Sequence, residues 1–300
     1  MWFRSLCLFV QAMPLLIFTN SAFTQEEPKN IGESTLSVLS WNLHLLPSLV
    51  FYKHQVKRAE AIANVLQGSM YDIIVFQEAF HKRASKKIWK GISSQYPFQY
   101  GPIKGSFPQF GSGIWLVSKL EIKNVQNIGF LECSRGSADC RAKKGALFVE
   151  VEKGGQKFQI IGTHVQSREG EEYQKVRNAQ FTQIAKELIE PNADETVPLI
   201  IAGDLNTAMA KTIDYQNMLD ILDAENGDLD GPHQFTADGM SNDLMKDKSS
   251  PGRLIDYILI NQRKVELKKV IREIIIYKHR WREKNEDISD HFAIKADIYF

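Results

Sequence analysis

The sequence has little cysteine and no excess of either charge. Its 300 residues include three cysteines, and 37 Lys and Arg stand against 36 Asp and Glu, for a formal net charge of +1 at pH 7. Three cysteines are too few for a small disulfide-stapled scaffold. The balanced charge excludes a general attraction to nucleic acid or anionic membrane and leaves open only a local basic patch. With 43% hydrophobic and 24% charged residues, the composition is that of a globular protein.

Long apolar runs are also scarce, and the clearest one lies at the N-terminus. Arg4 is followed by the mostly apolar stretch 6–18 and then by small and polar residues. A charged start, an apolar centre and a small-residue end predict a signal peptide over residues 1–24, with cleavage within residues 22–25 and hence export. A proline within the run and its short length argue against a membrane span. Residues 25–300 are predicted to form one domain.

Export bears on the two cysteines that remain after cleavage. Cys133 and Cys140 can close a short loop in an oxidising compartment, and we expect a disulfide between them. Two reduced thiols are the alternative, because sequence spacing alone does not fix the geometry of the bond.

Short apolar runs alternate with amphipathic segments along the chain. Strands that alternate with helices indicate an α/β fold, and a predicted hairpin with its turn at 153–156 adds antiparallel pairs. The sequence therefore indicates a mixed α/β domain, with segments 93–113, 129–144 and 225–251 as loops. The predicted strands are 36–41, 72–76, 113–117, 146–151, 158–164, 197–202, 254–260, 265–277 and 292–300, and the predicted helices are 55–67, 81–89, 171–189 and 215–222.

The strand at 197–202 is followed by Gly203-Asp204-Leu205-Asn206, which is the most informative stretch of the chain. Residues two apart in an extended segment point to the same face, so Asp204 and Asn206 would emerge side by side. A carboxylate and an amide on a rigid support suit a hard cation or the charge of a reacting phosphate. An Asx turn after a strand is the alternative.

Polar residues recur at the ends of the other predicted strands, or just before a strand. Strand ends at one edge of a layered sheet share a rim, and active sites form there. Taken singly, each residue has a structural explanation, such as a turn former, a paired carboxylate or a histidine with satisfied hydrogen bonds. Together they predict one site, whose members are Asn42, Glu78, His164, Asp204, Asn206, Asp256, Asp290 and His291.

These residues stand in motifs that resemble the metal-dependent endonuclease/exonuclease/phosphatase superfamily, and the resemblance runs from about residue 36 to residue 300. The motifs are Phe76-Gln77-Glu78, Gly162-Thr163-His164, Gly203-Asp204-Leu205-Asn206, Ile255-Asp256-Tyr257 and Ser289-Asp290-His291, preceded by a strand that ends at Asn42. The resemblance implies a DNase I-like fold: a four-layer α/β/β/α sandwich with two mixed, mainly antiparallel sheets flanked by helices. Within the superfamily the chain looks most like secreted bacterial neutral sphingomyelinases, through the stretches 142–145, 203–219 and 235–257.

The resemblance also implies a metal site. Glu78 would be the primary Mg²⁺ ligand, with Asn42 nearby, and Mn²⁺ or Co²⁺ are alternatives to Mg²⁺. Mg²⁺ keeps several waters and binds few carboxylates, so two protein ligands suffice. Further ligand candidates are Asp204, Asn206, Asp290 and His291.

Catalytic roles follow from the same resemblance. His291 would be the general base for the attacking water, held in one tautomer by Asp256. Asp204 would orient the water or help to hold a second metal, and Asn206 would donate to the transition state. His164 would stabilise the developing charge or protonate the leaving oxygen.

The implied reaction is the hydrolysis of sphingomyelin at a membrane surface, which releases ceramide and phosphocholine. We expect a monomer with no stable nucleic-acid partner. A choline group needs an aromatic or acidic cradle, and its candidates are Tyr100, Phe110 and Trp115.

Other functions stay open at this point. A secreted nuclease on the same scaffold needs a basic groove, which Lys82, Arg83, Lys86, Lys87, Lys143 and Lys144 could supply. His44 stands where nuclease relatives often carry an acidic residue. Another phosphoesterase of this fold, or a catalytically inactive binding module, are further alternatives.

One segment departs from the bacterial sphingomyelinases. They carry a long aromatic hairpin before the final Asp-His pair. Here residues 265–288 are short and charged, with Tyr277 and Trp281 as the aromatics. We therefore do not expect membrane insertion by this segment.

Overall fold

Two β-sheets form the centre of the structure, because most strands are apolar on the faces that they bury. The computed structural model describes residues 34–47, 54–105, 110–261 and 265–300. The strands are β1 (Thr35–Asn42), β2 (Ile73–Gln77), β3 (Phe98–Tyr100), β4 (Trp115–Ser118), β5 (Lys123–Gly129), β6 (Gly145–Lys153), β7 (Gln156–His164), β8 (Leu199–Asp204), β9 (Leu229–Asp230), β10 (Asp256–Asn261), β11 (Lys269–Ile275), β12 (Lys278–Arg282), β13 (Asn285–Asp287) and β14 (Ala293–Tyr299).

Seven strands form one sheet, in the order β3-β4-β2-β1-β14-β11-β9, and five form the other, in the order β10-β8-β7-β6-β5. Strands β12 and β13 form a separate two-stranded sheet. Among the described strands, β1 pairs parallel with β2, β7 with β8, and β9 with β11, whereas the remaining pairs are antiparallel. The predicted mixed, mainly antiparallel arrangement is confirmed.

Helices cover the outer faces of both sheets. In the longer helices apolar residues recur at helical spacing, so each of these helices buries one side. The helices are α1 (Gln55–Leu66), α2 (Lys82–Ile92), α3 (Ala138–Ala142), α4 (Glu171–Ile184), α5 (Glu190–Asn192) and α6 (Thr212–Leu222), and Ala185–Ile189 continues α4 as a π-helical turn.

Alternate residues of β1 show how the layers are built. Leu36 and Val38 lie in a cluster between the two sheets, whereas Leu39 and Trp41 lie in a cluster beneath α1 and α2. A third cluster joins the outer face of the five-stranded sheet to α4 and α6. The layers therefore follow the order helix, sheet, sheet, helix, and the predicted four-layer sandwich is confirmed.

The predicted strands and helices are present, with boundaries that differ by a few residues. Seven of the described elements were not predicted: β3 and β9 lie in predicted loops, α3 lies in the loop 129–144, and β5, α5, β12 and β13 were not assigned. Strand β5 is half exposed at an edge of its sheet, so it lacks the apolar run that marks buried strands. The predicted strand 265–277 is shorter, and a hairpin of β12 and β13 follows it.

The cysteine prediction is confirmed, because Cys133 and Cys140 are joined by a disulfide. The signal peptide over 1–24 and the leader up to residue 33 lie outside the described residues, and the single domain over 25–300 stays a prediction. Within the described ranges, no helix combines the length and apolar character that a membrane crossing requires.

Candidate active site

The register of the sheets brings the predicted strand ends to one edge. In the parallel pair of β7 and β8, His164 lies opposite Asp204, and in the antiparallel pair of β8 and β10, Asp204 lies opposite Asp256. Parallel strands end on the same side, and an antiparallel strand begins there. Three polar residues of the five-stranded sheet therefore lie side by side on neighbouring strands.

Gly203 permits this alignment. A Cβ atom at this position would lie 2.0 Å from the carbonyl oxygen of Thr163 in β7, a distance at which atoms overlap. The glycine lies within β8 and allows the close approach of two strands.

A side-chain hydrogen bond joins the two sheets at this edge. Asn42 ends β1 in the seven-stranded sheet, and its Nδ2 donates to Oδ2 of Asp204 at 3.0 Å. The other carboxylate oxygen, Oδ1, accepts from the backbone N–H of Asn206 at 3.1 Å, and Nδ2 of Asn206 donates to the carbonyl of Val165. The site therefore lies where the sheets meet. Asp204 is fully buried, and burial together with the neighbouring Asp256 raises its pKa.

His291 and Asp256 form the predicted carboxylate–imidazole pair. Nδ1 of His291 lies 2.8 Å from Oδ2 of Asp256, and Nε2 lies 3.9 Å from Oδ2 of Asp204. Burial by itself lowers the pKa of His291, but the two carboxylates outweigh it and raise the pKa well above 6.5. The indole of Trp41 donates to the His291 carbonyl at 3.0 Å and fixes the backbone.

Glu78 and Asp290 share His44. Nδ1 of His44 lies 2.9 Å from Oδ2 of Asp290 and 3.5 Å from Oε2 of Glu78. Burial lowers the pKa of His44, but the carboxylate of Asp290 and then that of Glu78 raise it to about 9. Burial raises the pKa of Glu78 and of Asp290, but His44 more than compensates and leaves both below their usual values. His44 is thus the cationic partner of two acidic residues.

The backbone is left-handed at three residues of this site. His44 has a φ of 48°, Glu78 of 55° and Asn206 of 47°. Such conformations cost energy in non-glycine residues and persist where surrounding contacts hold them. At His44 those contacts are present, because its N–H donates to Oδ1 of Asn42 at 3.0 Å and its carbonyl accepts from Arg58.

His164 has a cationic neighbour. Nζ of Lys144 lies 2.8 Å from Nε2 of His164, and Asp204 Oδ2 lies 3.4 Å from the same nitrogen. Burial and then Lys144 lower the pKa of His164 to about 4, so its imidazole is neutral at pH 7. Lys144 was predicted as part of a basic surface, but it is buried, whereas Lys143 is exposed.

The donor set fits a divalent cation. Oxygen atoms of Glu78, Asp256 and Asp290 are buried and accept no hydrogen bond within the described residues. One ligand atom each from Asp204, Asp256 and His291 lie within 4.8 Å of one another. Carboxylates with unused oxygen atoms suit Mg²⁺, which binds one or two carboxylates and keeps waters. Of the predicted ligands, Asn42 and Asn206 add amide groups at the same edge.

All eight predicted site residues belong to one connected cluster. Asp204 contacts Asn42, Asn206, His164 and His291, and His291 contacts Asp256. Glu78 and Asp290 connect to the cluster through His44, whose N–H binds Asn42. The roles of these residues stay predictions.

Several residues that support the cluster were not predicted. Ser289 Oγ donates to the Asn42 carbonyl at 2.6 Å, and Thr236 Oγ1 accepts from the N–H of Asp256 at 3.2 Å. Arg58 is fully buried, and its Nη1 donates to the carbonyls of Leu43 and Ile288 at 2.9 Å. The one sequence signal that Arg58 supports the site from within the core was its place, as a charged residue, on the apolar side of α1.

A small cavity opens beside Glu78. It measures about 110 Å³ and is lined by the aromatic rings of Phe80 and Phe110, by Glu78 and Asp139, and by basic and small apolar residues. Of the predicted choline candidates, Phe110 lines it. Trp115 does not, because it is fully buried in the sheet core and donates to Gln99, and Tyr100 binds Asn127 instead. The lining is completed by Leu46, Pro47, Ala138, Arg141, Ala142 and Lys144.

The basic run on α2 lies on the surface. Lys82, Arg83, Lys86 and Lys87 are exposed, and Lys87 pairs with Glu60 at 2.7 Å. This pattern is typical of a solvated helix face.

The hairpin of β12 and β13 presents charge. Lys278 pairs with Asp287, and Arg280 pairs with Glu286. Trp281 is half buried and donates to the Asp287 carbonyl at 2.8 Å, so its ring is held by the hairpin itself. The hairpin exposes no large aromatic side chain among its described residues.

Known proteins resemble this chain over most of its length. The sequence profile of the Endonuclease/Exonuclease/phosphatase family matches residues 39–291. A phospholipase C of Staphylococcus aureus is 27% identical over 93% of this chain and 91% of its own. A sphingomyelinase C of Leptospira interrogans is 31% identical over 93% of this chain, which spans 54% of that longer protein. A mutant of beta toxin from Staphylococcus aureus, solved with bound magnesium ions, has a TM-score of 0.80 and 25% identity, and covers 88% of this chain and 99% of its own.

Proposed function

Because the chain belongs to the endonuclease/exonuclease/phosphatase family, we propose that it is a Mg²⁺-dependent phosphodiesterase that hydrolyses sphingomyelin to ceramide and phosphocholine. The observation that carries the proposal is the buried cluster of carboxylates, amides and imidazoles around Asp204. Relatives that carry the names sphingomyelinase C and phospholipase C support the substrate class.

Glu78 would hold the metal, with Asn42 beside it and Asp204, Asn206, Asp290 and His291 as further ligand candidates. When bound, Mg²⁺ would neutralise the negative charge of the phosphodiester. Mn²⁺ or Co²⁺ would fit a site that also offers imidazole nitrogen. Oε2 of Glu78 accepts no hydrogen bond within the described residues and has His44 as its charged neighbour at 3.5 Å, which supports its role as the primary ligand.

His291 would accept the proton of the attacking water. Its Nδ1 is occupied by Asp256 Oδ2, so in the neutral ring Nδ1 carries the proton and Nε2 is the free acceptor. Because the neighbouring carboxylates raise the pKa of His291, the base would have to give up a tightly held proton before it accepts one from water. Asp204, close to Nε2, would orient the water.

Asn206 and His164 would stabilise charge on the phosphate oxygens. Preorganised donors contribute about 3 kcal/mol each where charge develops. Of the two roles predicted for His164, donation from a neutral ring is favoured, because a group with a pKa of about 4 holds no extra proton for the leaving oxygen at pH 7.

The cavity beside Glu78 would receive the choline group. Phe80 and Phe110 offer the aromatic faces that a quaternary ammonium group such as choline accepts. Of the acidic residues in the lining, Asp139 is paired with Lys144 and Glu78 would hold the metal. We further propose that the protein is exported, acts as a monomer on phospholipid at a membrane surface, and forms no stable complex with nucleic acid.

The test is hydrolysis by the purified protein, with Mg²⁺ or with a chelator, of sphingomyelin, phosphatidylcholine and lysophospholipid in vesicles and of DNA. We expect phosphocholine release from sphingomyelin that requires Mg²⁺. Glu78→Gln should abolish it, and the exposed variant Lys87→Gln should keep it. Mg²⁺-dependent cleavage of DNA without hydrolysis of sphingomyelin would overturn the assignment in favour of a nuclease.

A further inference from the structure

Lys144 is buried next to the site, and three acceptors surround its ammonium group. They are Nε2 of His164 at 2.8 Å, the carbonyl oxygen of Val165 at 2.7 Å and Oδ1 of Asp139 at 3.1 Å. A lysine ammonium group has three N–H donors and no acceptor. Each donor therefore has one partner, provided that Nε2 of His164 carries no proton.

Asp139 holds the ammonium group in this place. Its second oxygen, Oδ2, accepts from the side chain of Gln166 at 2.6 Å and from the backbone and hydroxyl of Ser167 at 2.7 and 2.6 Å. The carboxylate is thus fixed by three donors, while Oδ1 faces Lys144. The pair is not a flexible surface ion pair, because Lys144 is 4% exposed.

Without Lys144, His164 would favour the tautomer with its proton on Nε2. A proton on Nε2 would point toward Oδ2 of Asp204, 3.4 Å away, and would have an acceptor. A proton on Nδ1 has none, because Nδ1 is buried and makes no hydrogen bond within the described residues. An unpaired buried donor costs free energy, so the Nδ1–H tautomer forms only if another interaction stabilises it.

From this geometry we infer that Lys144 is a positioning residue that selects the Nδ1–H tautomer of His164. The choice has two consequences. The single N–H of the ring then lies on the buried Nδ1 and has no acceptor among the described residues. Oδ2 of Asp204 keeps its bond from Asn42 without competition from His164.

The direct test is the tautomer itself, measured by long-range ¹⁵N–¹H NMR on the full protein without substrate. We expect the wild-type protein to carry the His164 proton on Nδ1. In Lys144→Met, which removes all three donors, Nε2 should gain a proton. The exposed neighbour Lys143→Met is the matched control and should leave the spectrum of His164 unchanged.

Either of two results would overturn the inference. One is a wild-type spectrum with the proton on Nε2, and this measurement needs no variant to fold. The other is an unchanged Nδ1–H tautomer in folded Lys144→Met. Lys144→Arg gives a second variant that keeps the charge while its planar donors no longer match the three acceptors.

The catalytic consequence rests on the proposed phosphodiesterase function. By analogy with partners that orient other functional histidines, we expect Lys144→Met to lose about 10- to 100-fold in kcat. Mg²⁺ affinity, measured by calorimetry, should stay unchanged, since Lys144 contacts His164, Val165 and Asp139 and none of the proposed metal ligands. If sphingomyelin is not the substrate, the NMR result still stands, so the two proposals fail separately. A changed tautomer with unchanged kcat on a confirmed substrate would remove the catalytic role.

Discussion

His44 is expected to make the stability of the metal-free protein depend on pH. Its imidazole contacts Asp290 at 2.9 Å and Glu78 at 3.5 Å, and these carboxylates raise its pKa from 6.5 to about 9 against the effect of burial. A folded-state pKa above the unfolded value means that the folded protein binds the proton more tightly. The contribution to stability is therefore fully present below pH 6.5 and is lost as the pH rises through about 9.

The contribution of His44 to stability can be calculated from the shift of its pKa. One pKa unit corresponds to about 1.4 kcal/mol, so the shift of His44 is worth about 3 kcal/mol of unfolding free energy. The side chain is 18% exposed, which leaves the carboxylates as its main surroundings. Other groups titrate in the same range, His291 among them, so the prediction concerns a difference between variants.

The assay is urea unfolding of chelator-treated wild-type protein and His44→Asn at about pH 6 and about pH 10. Asparagine tolerates the left-handed backbone at this position, where φ is 48°, so the substitution removes the charge with little added strain. We expect the variant to be less stable than the wild type at the lower pH by up to about 3 kcal/mol, and by much less at the higher pH. The exposed His279→Asn is the control and should show no such difference.

Saturating Mg²⁺ provides the second arm of the experiment. Positive charge at Glu78 and Asp290 would replace that of His44 and lower its pKa, so the difference between the two pH values should shrink. An equal loss of stability in His44→Asn at both pH values, without metal, would refute the reasoning, because it would show that these carboxylates do not hold His44 charged.

Three further predictions concern the same edge of the sheets. Glu78→Gln should abolish the rise in melting temperature that Mg²⁺ gives to the wild type, while circular dichroism shows an unchanged fold; an undiminished rise would remove Glu78 as a ligand. Asp256→Asn should lower kcat by about 100-fold or more and shift the acidic limb of the pH–rate profile to lower pH, because the carboxylate that raises the pKa of His291 is lost; an unshifted limb would contradict this. Arg58→Met leaves buried carbonyls without donors, so it should lower the free energy of unfolding by roughly 3 kcal/mol or more and weaken Mg²⁺ binding. The control is Arg272→Met, which removes another buried arginine, bound to the carbonyl of Ile258. It should lower stability and leave Mg²⁺ binding intact.

The residues of the site could be predicted because each stands at a strand end that the sequence marks clearly. Asp204 follows an apolar run and was found in this way. The extended i, i+2 relation to Asn206 was wrong, because β8 ends at Asp204 and Asn206 lies in an Asx turn, with a left-handed backbone and its N–H bound to Oδ1 of Asp204. Motif order then linked them to distant members such as Glu78 and His291. The motifs did not reveal the strand register. It is the pairing of β8 with β7 and β10 that places Asp204 opposite His164 and Asp256.

The supporting residues could not be predicted, because their partners are backbone atoms far away in sequence. Arg58 binds the carbonyl of Ile288, 230 positions later, and no pattern around either residue indicates the other. Lys144 was read as a surface charge because it lies in a basic run. Its burial depends on Asp139 and on the end of β7, which only the folded sheet brings together.

Charge balance in the cluster couples metal binding to the formation of the base. Four acidic side chains meet within it, from Glu78, Asp204, Asp256 and Asp290, and they raise the pKa of both His44 and His291. Buried charges need partners, so a bound divalent cation would take over part of this role and lower the pKa of both histidines. A neutral His291 is the form that accepts a proton from water. The acidic groups that make the edge attractive to a metal are therefore the groups that raise the pKa of the base, and a bound metal would oppose that effect.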